Sequence, residues 1–97
     1  MRRKVKIIKE LLISSGGTFL VKDNYGIIIV GLQKDDFLLM DVDGNVINPY
    51  SVEESNSVLG KYDITFGGAY IDKIRIKRYR YSTRFVKLRY NKINYSK

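Results

Sequence analysis

The sequence predicts a single α+β domain, in which an N-terminal helix packs on a mostly antiparallel β-sheet or small β-barrel of about six or seven strands. Three observations lead to this fold class: a helix-like period near the N-terminus, short apolar runs separated by turn-forming residues, and a final third that alternates apolar with basic residues. The 97 residues suit one domain. We divide it into a helix and turn at 1–17, an acidic meander at 18–69, and a basic hairpin and tail at 70–97.

The N-terminal helix is predicted from the spacing of apolar residues at Val5, Ile8 and Leu12. Residues three and seven apart lie on one face of a helix, and charged residues fill the other positions. The sequence SSGG at 14–17 provides a stop, because glycine readily takes the left-handed conformation that ends helices. A short strand at 5–8 is the alternative interpretation.

The middle of the chain, residues 18–69, is predicted to begin as an antiparallel meander. Short runs rich in Ile, Val, Leu and Phe at 18–22, 26–32 and 37–42 are separated by turn-forming clusters. We expect the run at 26–32 to be a buried strand. The Asp-Gly pair at 43–44, followed by Asn-Val-Ile, predicts a tight β-hairpin.

A second helical segment is predicted after the meander. Ser51 is followed three residues later by Glu54, which matches a helix capping box. One or two helical turns up to Leu59 would follow. Alternation of apolar and polar residues at 62–66 then predicts a half-buried strand.

The last third of the chain is predicted to form a long hairpin with one basic face. Its strands are expected at 70–81 and 84–91, with Ile, Tyr, Val and Leu on one face and Arg and Lys on the other. The alternation slips by one residue at 77–78, which indicates a β-bulge.

Charge is distributed unevenly along the chain. Residues 1–22 contain six basic residues and one acid, residues 23–72 contain two basic residues and nine acids, and residues 73–97 contain ten basic residues and no acid. The formal net charge of +8 is therefore concentrated at the two ends. Such asymmetry is evidence about binding partners rather than about fold.

The basic hairpin is the candidate binding site, because nucleic-acid phosphates would relieve the repulsion among its cations. A solvated polar face, or a face neutralised by the acidic middle, is the alternative. Two tyrosines on the hairpin are candidates for stacking on bases, with packing in the core as the alternative for both. The candidate phosphate contacts are Arg75, Lys77, Arg78, Arg80, Arg84, Lys87 and Arg89, and the candidate stacking residues are Tyr79 and Tyr81.

Several chemistries are excluded by residue types that the chain lacks. It has no Cys and no His, which leaves no disulfide, no Cys/His zinc site and no Cys or His catalyst. The acidic segment at 41–45 resembles a calcium loop only superficially, because its glycine is at the fourth position instead of the sixth. We therefore predict a protein that is not an enzyme and has no catalytic residue, no metal site and no cofactor.

The predicted function is non-catalytic binding of nucleic acid, either DNA or RNA. A small protein-binding inhibitor or accessory factor, acting through the acidic middle or the sheet edges, is the alternative, as is a self-assembling structural subunit. Usage of 12 Ile and 11 Lys against one Ala indicates an AT-rich genome and favours a viral or mobile-element accessory protein. No run approaches the roughly 20 apolar residues of a membrane span, so we expect a cytoplasmic protein with no membrane partner.

Overall fold

The computed structural model describes residues 3–67, 70–77, 81–82 and 85–88. These residues form nine strands and one short 3₁₀ turn at Lys34–Asp36, and no α-helix occurs among them. The predicted α+β class is therefore wrong, and the described chain is nearly all β. No helix in these ranges is long and apolar enough to cross a membrane. The strands are β1 (Arg3–Ile13), β2 (Gly16–Asp23), β3 (Phe37–Asp41), β4 (Val46–Ile47), β5 (Ser51–Glu54), β6 (Lys61–Thr65), β7 (Ile71–Ile76), β8 (Tyr81–Ser82) and β9 (Val86–Lys87).

The strands form two sheets. The first sheet has the order β5-β6-β2-β1-β8, and the second has the order β4-β3-β7-β9. All neighbours are antiparallel except β1 and β8, which run parallel. The predicted antiparallel sheet is therefore confirmed.

The core lies between the inner faces of the two sheets. Phe37 of the second sheet and Tyr62 of the first meet edge to face, with ring centroids 5.7 Å apart. The Tyr62 hydroxyl is buried, donates to the carbonyl of Ile29 at 2.7 Å and accepts from the N–H of Leu32 at 3.1 Å. These two bonds satisfy a polar group that would otherwise be costly to bury. The other fully buried apolar side chains in the core are Phe19, Val21, Leu39, Ile64, Ile71, Ile74 and Ile76.

The helix predicted at 1–17 is wrong, because this segment forms the β1–β2 hairpin. A register shift near Glu10 marks a bulge in β1. Val5 and Ile7 pack against the core before the bulge, and Leu12 lies in the core after it. The extra residue switches the inward positions from odd to even numbers, since a bulge places two residues opposite one. Because of this switch, Val5 and Leu12 both face the core although they are seven residues apart, whereas Ile8, the third residue of the predicted helical face, is 38% exposed.

The glycines after β1 serve strand packing instead of a helix cap. Ile13 pairs with Gly16, so residues 14–15 form the hairpin loop. A Cβ at Gly16 would lie 2.5 Å from the carbonyl oxygen of Ile64 in β6. Gly16 therefore lets β2 approach β6 closely, and the alternative interpretation of a strand at 5–8 agrees with β1.

Two predictions for the middle of the chain are also wrong. Ser51–Glu54 is strand β5, paired with β6, and no helical turns follow it. Residues 26–32 are not a buried strand, because they contribute only one bridge, between Lys22 and Ile28. The hairpin at 43–44 is confirmed: β3 pairs with β4, and Gly44 has the positive φ of 87° that the turn requires. The strand at 62–66 agrees with β6.

The basic hairpin predicted at 70–81 and 84–91 is only partly correct. β7 does pair with β9 in antiparallel fashion. However, β7 ends at Ile76, and residues 81–82 form β8, which lies in the first sheet beside β1. Alternation in the sequence identifies the face on which a residue lies, but it does not identify the partner strand.

Candidate nucleic-acid interface

Four cations lie on the outer side of the second sheet, and we call this surface the basic face. It comprises Lys73 and Arg75 of β7, Lys77 directly after β7, and Lys87 of β9. The intervening Ile74 and Ile76 are fully buried. Because side chains alternate between the two faces of a strand, burial of the isoleucines turns the cations outward. The sequence-predicted residues Arg75, Lys77 and Lys87 are thus brought together.

Lys73 and Lys87 are direct cross-strand partners on this face. Lys73 is half-buried and Lys87 is exposed. Two like charges placed opposite each other destabilise a sheet. The basic face therefore keeps an unfavourable arrangement that an external anion would relieve.

Arg75 occupies the middle of the basic face and lies over an aromatic ring. Its guanidinium carbon lies 5.4 Å from the centroid of Phe85, within the range of a cation–π contact. Its Nε is buried and has no hydrogen-bond partner within the described chain. Leu38 of β3 is its cross-strand partner on the other side. The guanidinium is thus held by packing and is not committed to a carboxylate.

The acids and the basic face form no ion pairs among the described residues. All ten lie within the described residues, and none forms an ion pair there with Lys73, Arg75, Lys77 or Lys87. Most of them instead stabilise turns or neighbouring strands. The carboxylates of Asp23, Asp36, Asp41, Glu54 and Asp63 accept hydrogen bonds from backbone N–H groups or a hydroxyl, and Glu10 pairs with Lys61 at 2.9 Å.

The acidic segment at 41–45 is a turn. The Asp41 carboxylate accepts hydrogen bonds from the backbone N–H groups of Asp43 and Asn45, each at 2.9 Å, and from the Asn45 side-chain amide. These bonds, led by the backbone N–H of Asn45, lower the pKa of the Asp41 carboxyl below its ordinary value. No group of three potential metal ligands occurs in the ranges that the structure describes.

The remaining predicted site residues are not placed on the basic face. The backbone of Tyr81 is in β8, which belongs to the first sheet. Tyr81 is therefore separated by topology from the strands that carry the basic face. The predicted residues Arg78, Tyr79, Arg80, Arg84 and Arg89 lie outside the described residues.

Exposed apolar side chains on two adjacent loops form a second surface, which sequence reasoning missed. We call it the apolar loop pair. The loops are tied together because Val21 of β2 bonds both, accepting from the N–H of Ile29 and donating to the carbonyl of Gly60. Glu54 bridges them as well, accepting from the N–H groups of Gly31 and Gly60. The surface consists of Ile27, Ile28, Val30, Val58 and Leu59, between 42% and 56% exposed.

A signal for the first loop was present in the sequence. Asp23 precedes the apolar run, and glycines flank it at 26 and 31. Both glycines have positive φ, and Asp23 accepts hydrogen bonds from the N–H groups of Tyr25 and Ile27, which holds the chain in a turn. Neither the basic face nor the apolar loop pair can be assigned by likeness, because no protein-family model, curated protein or solved structure matches the chain.

Proposed function

We propose that the protein binds nucleic acid without catalysis and that the basic face contacts the phosphates. The observation that supports this proposal is the gathering of four cations on one sheet face, none of them ion-paired with a carboxylate of the described residues. Phosphates that bind such cations release their own condensed counterions, and this release drives binding. Phosphate contacts set affinity and orientation rather than choice of sequence.

The alternative in which acids of the same chain neutralise this face is weakened by the hydrogen bonds of those acids. Asp41, for example, is engaged by Asn45 and Asp43, and Glu54 by Gly31 and Gly60. Moving such a carboxylate to the basic face would leave turn N–H groups unpaired. The cations are therefore better suited to an anion from another molecule.

The salt dependence of binding tests the proposal. If each of the four cations neutralises one phosphate, log K against log salt has a slope of about −2.8 to −3.6 from these residues alone. Lys77 and Lys87 are both exposed. Replacing the two together with glutamine should flatten the slope by about 1.4 to 1.8.

Lys6 and Lys22 provide the matched control, since they are cross-strand partners on β1 and β2 of the first sheet. Their double replacement with glutamine changes the net charge equally and leaves the basic face intact. If the control substitutions flatten the slope by as much, binding depends on net charge alone and the basic face has no local role. Absence of binding to both DNA and RNA at about 50 mM salt would overturn the proposal.

Binding of a protein partner is a second candidate, favoured by the apolar loop pair. Monomeric proteins rarely leave a large contiguous apolar patch exposed. Leu59, which is 54% exposed, is the natural site for a disruptive charge. We expect Leu59→Asp to abolish capture of one protein from a nuclease-treated lysate while nucleic-acid binding is unchanged. If the partner is a second copy, light scattering of the unsubstituted chain gives a mass above 11.3 kDa.

A further inference from the structure

Strand order restricts how the basic face can meet a nucleic acid. β7 carries two of the four cations and has β3 on one side and β9 on the other. Neighbouring strands lie about 4.8 Å apart, so the backbones of the four strands in this sheet span about 14 Å before side chains are added. The major groove of B-form DNA is about 12 Å wide and admits a helix or a two-stranded ribbon. The sheet that carries the basic face is therefore too wide to enter the groove face-on, as a free two-stranded ribbon could.

The surface between the cations also differs from what a duplex backbone requires. Met40 of β3 is the cross-strand partner of Lys73, and Leu38 is the partner of Arg75. Both are half-buried, as is Phe85, so apolar surface lies among the charges. A duplex offers phosphates and sugars on its outside, whereas its base faces are stacked within. Unpaired bases can use both the charges and the apolar surface.

The cation–π pair of Arg75 and Phe85 provides a platform for a base. The guanidinium packs on the Phe85 ring, with 5.4 Å between its carbon and the ring centroid. Its buried Nε has no hydrogen-bond partner among the described residues. Bases stack on aromatic rings and on guanidinium planes alike. Flanking lysines at 73, 77 and 87 are placed to contact the phosphates on either side.

We infer that the basic face binds single-stranded nucleic acid in preference to duplex, with one base stacked at Arg75 and Phe85. This inference rests on the proposed function. Stacking is tolerant of base identity because every base has a π-face, so we expect little sequence preference. Single-stranded DNA and RNA share the chemistry that this face recognises.

Fluorescence anisotropy with three probes tests the inference: oligothymidylate and oligouridylate of about 20 nucleotides, and a DNA duplex of equal length. At about 100 mM salt, at least one single strand should bind about tenfold or more tightly than the duplex. Equal or tighter duplex binding would overturn this inference and leave the proposed function standing. No binding of any probe at about 50 mM salt would overturn both.

Two variants separate stacking from charge. Phe85→Leu keeps every charge and should weaken single-strand binding about five- to tenfold with little effect on the duplex. Arg75→Lys keeps the charge but removes the planar guanidinium, and it should weaken single-strand binding while leaving the salt slope unchanged. Tyr25→Leu, a substitution at an exposed tyrosine in the loop after β2, is the matched control. If folded Phe85→Leu and Arg75→Lys proteins both bind like the control, no base stacks at this position.

Discussion

Replacement of Lys87 with glutamate tests the like-charge pair on the basic face. Lys73 and Lys87 are opposite each other on β7 and β9. The N–H of Leu88 donates to the carbonyl of Asp72 at 2.7 Å, so 72 and 88 form a hydrogen-bonded pair. The adjacent 73–87 pair is then of the non-hydrogen-bonded kind, in which Cα atoms are only about 4.5 Å apart. Side chains in such pairs are closest, which increases the repulsion between the lysines.

The substitution Lys87→Glu removes this repulsion and adds an attraction to Lys73. Because opposite-charge pairs across strands contribute about 0.2–1 kcal/mol, we expect the free energy of unfolding to rise by about 0.5–1 kcal/mol at low salt. The gain should fall at about 0.5 M salt, where the Debye length is only about 4 Å. Binding of single-stranded DNA should weaken at least about fivefold at about 100 mM salt, because one phosphate contact is lost and a negative charge is introduced.

Urea unfolding followed by circular dichroism measures the change in the free energy of unfolding, and an unchanged slope of that free energy against urea indicates a pure stability change. Fluorescence anisotropy measures the loss of single-stranded DNA binding. Lys6→Glu is the control, because Lys6 is also exposed and opposite a half-buried lysine, Lys22, but on the first sheet. It should also stabilise the chain, with a smaller loss of binding. Loss of stability in Lys87→Glu, or a gain that persists at high salt, would refute the reasoning about the pair.

Two further predictions concern stability. Tyr62→Phe removes a buried hydroxyl and leaves two backbone groups unpaired, which should lower the free energy of unfolding by about 1–3 kcal/mol in urea titrations. Tyr50→Phe, at an exposed tyrosine, should change the free energy of unfolding by less than about 0.5 kcal/mol. Equal effects of the two substitutions would show that the hydroxyl of Tyr62 is not satisfied in the core. The pKa of Asp41 is lowered by Asn45, so its stabilisation is complete above the ordinary aspartate pKa and is lost as pH falls through the lowered value. The difference in the free energy of unfolding between Asp41→Ala and the unsubstituted chain should therefore shrink from about pH 6 to about pH 2.5. Asp43→Ala, the control, should differ little from the unsubstituted chain at either pH. A difference for Asp41→Ala that is independent of pH would contradict the role given to the ionised Asp41 carboxylate.

Local rules in the sequence predicted those parts of the fold that depend on neighbouring residues. The Asp-Gly pair at 43–44 specified a hairpin because the turn needs a positive φ, and the structure places Gly44 at 87°. Alternation placed Ile74 and Ile76 inward and Arg75 outward, as observed. The same rules failed at β1, where the bulge near Glu10 changed the phase of the alternation, so that Val5 and Leu12 face the core and the intervening Ile8 does not.

By itself, the sequence determined the Asp-Gly hairpin turn, the alternation that places Arg75 opposite in face to Ile74 and Ile76, and the absence of Cys and His side chains. Only the tertiary structure decided which strands are neighbours. It placed β8 beside β1 and β3 on the other side of β7, and so assigned the basic residues to an interior strand and its neighbour instead of a free ribbon. The physical reason is that side-chain alternation encodes which face of a strand is buried, whereas pairing depends on backbone hydrogen bonds that every residue except proline can make.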